Sequence, residues 1–220
     1  VLGLIGLVCK VIGAIYRIPM AALIGEEGMA YYQAAYPLYV FLLAIASAGL
    51  PVAISKMVSE RVTLGDYNGA HRVFKTAFKS LLVIGLLTAI LMVCLSSVVA
   101  KGVGIPDAQY AFLAIAPGLF FVSVISAYRG YFQGLQRMAP TAFSQLIEQA
   151  GKLTLGLLFA GMWKQYGLQY GAAGAMLGVT LSEVISLAFI IILYSRRKDE
   201  IKKNMTKTAV SPKMKEGIGK

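Results

Sequence analysis

Cysteine is scarce in this chain of 220 residues: Cys9 and Cys94 are the only two, and both lie in apolar runs. Two such isolated thiols build neither a disulfide framework nor a zinc site, and each reads as a small packing residue. Histidine is scarcer still, and the lone His71, read as lying in a loop, excludes a histidine-based metal or catalytic cluster. No Gly-x-x-x-x-Gly-Lys-Ser/Thr segment occurs, so the chain carries no nucleotide-driven P-loop motor. Charged residues make up 14% of the chain, where a soluble domain holds about a quarter. Against these absences stand 58% hydrophobic residues and a mean hydropathy of +0.71. The balance excludes a disordered chain and argues against a water-soluble enzyme, which leaves an all-α polytopic membrane protein. The sequence opens at Val1 inside an apolar run, with no initiator Met and no basic n-region. A cleavable signal peptide is therefore not visible, and the start reads as falling inside the first span.

A spanning helix needs roughly 20 apolar residues. Long runs of that kind predict six transmembrane helices, at 1–24, 31–54, 80–100, 108–128, 138–162 and 170–194. Pro19, Pro37, Pro51 and Pro117 fall inside them. Such prolines are tolerated within a membrane bundle, where neighbouring helices satisfy the freed backbone, and they often mark bends. The blocks are too long and too uniformly apolar for the short alternating segments of a membrane barrel. Basic residues set the orientation. With the N-terminus inside, the segments 55–79, 128–137 and 195–220 hold 16 Lys/Arg, and the outer loops hold only Lys101 and Lys164. This predicts an N-in, C-in lobe followed by a basic cytoplasmic linker, 196–220. The net charge of +11 is mostly this topology. A nucleic-acid partner is disfavoured because the basic run Arg196-Arg197-Lys198 has no interleaved aromatics, whereas membrane lipid headgroups fit it.

Ionisable residues inside spans cost at least ~2.5 kcal/mol on insertion scales and usually face a partner or a wet cavity. Five occur: Lys10, Arg17, Glu148, Lys152 and Glu183. Gly3, Gly6, Lys10, Gly13 and Arg17 recur at intervals of three and four, so they share one helix face. That face reads either as the cationic wall of a cavity or as a close glycine contact with Arg17 snorkelling outward. Thr141, Gln145, Glu148, Gln149, Lys152 and Gly156 form a second stripe, with Glu148 four residues before Lys152, the favoured order for an intrahelical pair. It reads either as a neutralised helix interface or as a face in need of water or substrate. Gly174, Gly178, Ser182 and Ser186 recur at intervals of four beside Glu183, a small-residue pattern typical of helix packing. Glu183 reads as a counter-charge to Lys10 or Arg17, or as a site for a coupling cation. Tyr31, Tyr32, Tyr36 and Tyr39 read as an interfacial aromatic belt. No metal ligand set and no cofactor is expected beyond such a cation.

Four segments carry more than composition. They are Lys10-Val-Ile-Gly-Ala-Ile-Tyr-Arg17-Ile-Pro-Met-Ala, Gly28-Met-Ala-Tyr-Tyr-Gln-Ala-Ala-Tyr-Pro37, Ala46-Ser-Ala-Gly-Leu-Pro-Val-Ala-Ile-Ser-Lys56 and Tyr128-Arg-Gly-Tyr-Phe-Gln-Gly-Leu-Gln-Arg137. In order and spacing they resemble the polysaccharide-biosynthesis, stage V sporulation protein B-like family. That family lies in the multidrug/oligosaccharidyl-lipid/polysaccharide exporter superfamily, alongside the lipid II flippases. The resemblance implies the first six-helix lobe of a two-lobed transporter of about 14 spans, in a bacterial cytoplasmic membrane. It implies an exporter of undecaprenyl-pyrophosphate-linked oligosaccharide for peptidoglycan or other wall polymers, working by alternating access with a second lobe of the same chain. Lys10 and Arg17 stand near the places of the cavity arginines in the first helix of the lipid II flippases. The second-helix arginine and glutamate of those flippases have no charged counterpart between Leu38 and Ala53.

The expected substrate-binding residues are therefore Lys10, Arg17, Gln145, Glu148, Gln149 and Lys152, with Glu183 and Glu148 as the ion-coupling candidates. A cation-coupled multidrug exporter of the same superfamily is the first alternative. A non-transporting membrane scaffold for wall or spore assembly is the second.

Overall fold

The computed structural model describes residues 2–47 and 49–197; the side chains of residues 2–5, 10, 46 and 47 lie outside what it describes. Within the described residues it is a bundle of six α-helices, with two short 3-10 turns and no strands: α1 (Leu2–Ser47), α2 (Leu50–Thr63), α3 (Tyr67–Gly102), α4 (Gln109–Gly134), α5 (Met138–Trp163) and α6 (Leu168–Arg196). Four stretches are long and apolar enough to cross a membrane: Gly6–Thr63, Tyr67–Gly102, Pro106–Gly134 and Leu168–Arg196. The 26 residues of α5 have the length, but their polar face keeps that helix out of the set.

α1 is two helices joined at a break. Gly25 has φ 70° and ψ −176°, a backbone state that glycine adopts without a Cβ penalty. The break reverses the chain. An unbroken helix would separate Tyr16 from Tyr32 by about 24 Å at 1.5 Å per residue, yet their ring centroids lie 6.4 Å apart. A second interruption precedes α2, where Gly49 is left-handed (φ 75°) and Pro51 occupies the first turn, so the apolar run 31–54 bends well before its end.

The remaining turns are short and locally closed. Asp66 caps α3 by accepting from the Gly69 amide at 2.7 Å. Between α4 and α5, the Arg137 amide bonds back to Phe132 and Gln136 takes a positive φ of 59°. Gly167 (φ 141°) sits at the start of α6.

α5 and α6 form the most extensive helix pair, and glycine explains how. A Cβ on Gly178 would run into the backbone at Gly156, one on Gly174 into the Phe159 carbonyl, and one on Gly151 into Ser182. The small-residue stripe of α6 is thus a packing seam, where close approach of backbones replaces side-chain interdigitation. Two apolar clusters complete the interior. One joins Met20, Ile24 and Leu42 of α1 to Met92, Phe112, Ile115 and Met176. The other stacks Phe74, Tyr128, Tyr131 and Tyr194 beside Ile54 and Val58. His71 belongs to this second cluster, 5.9 Å from the Phe74 ring, in a helix and not in the loop the sequence suggests.

Candidate functional site

A cavity of about 440 Å³ opens between both halves of α1, the start of α2, and α4, α5 and α6. α5 supplies its polar wall. Gln145, Glu148, Gln149 and Lys152 recur at intervals of three and four and all line the space. Arg17 and Gly13 face it from the first half of α1, and Arg17 is exposed. Five of the expected binding residues thus meet in one place. Lys10 lies on the same helix face, but its side chain is outside the described set.

The charges on the wall are organised around Glu148. Its Oε1 accepts from Lys152 Nζ at 2.7 Å and its Oε2 from Arg129 Nη2 at 2.9 Å. The side chains of Arg129, Glu148 and Lys152 retain 13%, 11% and 23% exposure, so these pairs are shielded from water without being cut off from the cavity. Arg129 is held from further sides: Nε donates to Ser144 Oγ at 2.9 Å and Nη2 reaches Ser186 Oγ at 3.4 Å. Ser186 in turn donates to the Ser144 carbonyl at 2.9 Å, which ties α4, α5 and α6 together through one guanidinium.

Arg129 is a cavity residue that the sequence reading missed. The charge count places it in the inside segment 128–137, but α4 continues to Gly134 and carries it into the cavity wall. A periodic signal was there to find: Val122, Ser126, Arg129 and Gln133 fall on one helix face and all four line the cavity. The tyrosines are also reassigned. Tyr32, Tyr36 and Tyr39 line the cavity together with Tyr16, in a ladder whose neighbouring centroids are 6.4 Å apart. Tyr31 stays outside the cavity lining, half-buried, and donates to Glu27 at 2.6 Å, while Tyr36 lines the cavity and is itself exposed. The ladder exists because the chain reverses at Gly25, and nothing in the local pattern of 31–39 contains that contact.

Glu183 stands apart. It is 0% exposed, and its Oε1 accepts from Tyr39 Oη at 2.9 Å. Its Oε2 has no hydrogen-bond partner among the described residues. Gly118 makes room for it, since a Cβ there would strike that same oxygen. Glu183 thus lies behind Tyr39, one side chain removed from the cavity, and no described cation pairs with it. Among the described residues no cluster of His, Cys, Asp and Glu has the composition of a metal site.

Known proteins resemble this chain in sequence and in fold. Stage V sporulation protein B of Bacillus subtilis (strain 168) is 33% identical over 195 residues, covering 88% of this chain and 38% of that protein. Lipid II flippase MurJ of the same organism is 32% identical over 151 residues, covering 64% of this chain and 28% of that protein. The chain thus spans well under half the length of these relatives. The fold likeness extends to solved structures. A crystal structure of a MATE mutant aligns with a TM-score of 0.77 at 19% identity, over 90% of this chain and 45% of that chain. An inward-facing multidrug resistance MATE family transporter of the MOP superfamily aligns with a TM-score of 0.70 at 20% identity, over 87% of this chain and 47% of that chain. The apolar helices and these relatives make it a multi-pass membrane protein. Residues 1–212 match the polysaccharide biosynthesis protein family, and the chain belongs to that family.

Proposed function

We propose that this chain is the first lobe of an exporter that flips an undecaprenyl-pyrophosphate-linked oligosaccharide across the bacterial cytoplasmic membrane by alternating access. One observation carries the reading. A single cavity gathers three cations, Arg17 from α1, Arg129 from α4 and Lys152 from α5, beside the neutral hydrogen-bonding side chains Gln145 and Gln149. Cations in a low-dielectric cavity recognise an anionic headgroup through charge-assisted hydrogen bonds, and amides suit sugar hydroxyls. Arg17, with Lys10 on the same face, and Lys152 contact the pyrophosphate; Gln145 and Gln149 contact the sugar. Glu148 sets the charge of Lys152. In this reading all six predicted segments cross the membrane, with both ends of the lobe inside, and 196–220 leads to a second lobe that closes the cavity from the other side. The relation to stage V sporulation protein B and to lipid II flippase MurJ supports it.

The test is translocation of a labelled undecaprenyl-pyrophosphate sugar lipid by the intact protein in proteoliposomes. Arg17→Ala should lower the rate at least tenfold while the protein stays folded. Unchanged transport rejects the role of Arg17, and no transport by folded wild type rejects the cargo.

A second reading rests on Glu183. A buried carboxyl that has, among the described residues, one tyrosine partner and one unpartnered oxygen suits ion coupling, and the fold relatives include a multidrug resistance MATE family transporter. Loss of cation-dependent dye efflux in Glu183→Gln, with lipid flipping absent from wild type, would favour a cation-coupled multidrug exporter.

A further inference from the structure

Two shielded cations in the cavity wall share one carboxylate. Glu148 spans them, with Oε2 on Arg129 at 2.9 Å and Oε1 on Lys152 at 2.7 Å. The guanidinium does not depend on Glu148 for its position, because Ser144 and Ser186, both buried, also bind it. Lys152 carries three donor hydrogens and directs one to Glu148, its single hydrogen-bond partner among the described residues. The cluster therefore holds two positive charges against one negative, and it borders a cavity that an anion can enter. A guanidinium and an ammonium bind carboxylate and phosphate oxygens through the same charge-assisted geometry.

We propose that Glu148 is a resident counter-anion in an anion site built by Arg129, Lys152, Ser144 and Ser186, and that the cargo's phosphate takes this site by displacing the Glu148 carboxylate from the two cations. The proposal rests on the reading of the cavity as the seat of a phosphate-bearing cargo. It extends that reading to Arg129 and the two serines, and it gives Glu148 a purpose beyond neutralising Lys152. Exchanging one anion for another leaves neither cation bare at any stage, so entry and release avoid the cost of unpaired buried cations, and the displaced carboxylate turns to water in the cavity that Glu148 lines. The resident carboxylate also weakens net affinity, which keeps the cargo from being trapped.

The test uses inorganic pyrophosphate as the probe and the intact protein in detergent, with binding measured by calorimetry and melting temperature followed against probe concentration. Glu148→Gln should bind pyrophosphate at least tenfold more tightly than wild type. Its melting temperature, below that of wild type without the probe, should climb further as pyrophosphate is added. Equal or weaker binding, or an equal melting response, overturns the proposal. Should Glu148→Gln fail to fold, Glu148→Asp serves, because the shorter carboxylate cannot span both cations: tightening is expected and unchanged affinity overturns. Replacing Arg129 by Gln in the tightened variant should remove the gain, and a retained gain overturns the assigned site. The two readings separate cleanly. If pyrophosphate tightens as stated but wild type flips no lipid substrate, the anion site stands and the cargo falls. If flipping occurs and Glu148→Gln does not tighten, the cargo stands and the exchange falls.

Discussion

Two carboxylates on adjacent helices of this bundle meet opposite surroundings. Glu148 on α5 is bridged by two cations and borders the cavity. Glu183 on α6 is fully enclosed and, among the described residues, meets a single hydroxyl and leaves one oxygen unpartnered. The same side chain is a structural keystone in one place and an unfinished contact in the other. Sequence context pairs Glu148 with Lys152 on its own helix and leaves the partner of Glu183 open. What separates them is the company supplied by other helices: Arg129 from α4 in one case, Tyr39 from α1 and the bare backbone of Gly118 in the other.

The widest gap should appear on removing charge. Glu148→Gln leaves Arg129 and Lys152 without their shared anion, and breaking a buried pair in this way typically costs about 3–5 kcal/mol. Reversible denaturation in mixed micelles measures it, and a loss below about 1 kcal/mol would mean that cavity water screens the cations and the contrast with Glu183 is false. Arg129→Gln should cost less, because the Glu148–Lys152 pair it leaves behind is already neutral. If Arg129→Gln proves the more damaging of the two, the guanidinium's ties to Ser144 and Ser186, and not the charge balance, hold the site together.

A middle-sized effect sharpens the other side. Gly118→Ala places a methyl against the Glu183 carboxyl and Thr180, and overpacking of this kind costs typically about 1–3 kcal/mol. The double variant with Glu183→Ala should recover most of that loss, since the smaller side chain vacates the contested space. A double-mutant cycle with no coupling between the two would show that Gly118 is constrained by something other than Glu183.

These contrasts mark how far the sequence reaches. The polar face of α5 was legible in full, because Gln145, Glu148, Gln149 and Lys152 belong to one helix and helical spacing puts them together. The seam of Gly174 and Gly178 was legible for the same reason. Arg129 was missed as a cavity residue because an uncharged run ending in arginine looks like a span reaching its boundary, and the helix carries its polar face past that point. The tyrosines failed on a longer-range ground. Their ladder requires Tyr16 to meet Tyr32 across the Gly25 reversal, and the partner of Glu183 lies 144 positions away in the chain. Contacts within one helix follow from periodicity; contacts between helices depend on packing that periodicity does not encode.

The smallest effect tests the comparison most directly. Glu183→Gln removes a charge-bearing group but keeps an acceptor for the Tyr39 hydroxyl at nearly the same volume. Because no described cation rests on Glu183, the amide leaves no charge unpaired, and the stability change should stay within about 1 kcal/mol, the scale of one ordinary hydrogen bond. Tyr39→Phe should cost slightly more, since it leaves both carboxyl oxygens without a protein donor. The order of these two is the informative result. If Glu183→Gln costs several kcal/mol and Tyr39→Phe almost nothing, a cation is present at Glu183, and the asymmetry between the two acids becomes one of partner identity. If the order holds, the unpartnered oxygen belongs to a group that the fold tolerates and does not need, which is where selection for transport, and not for stability, would have to act.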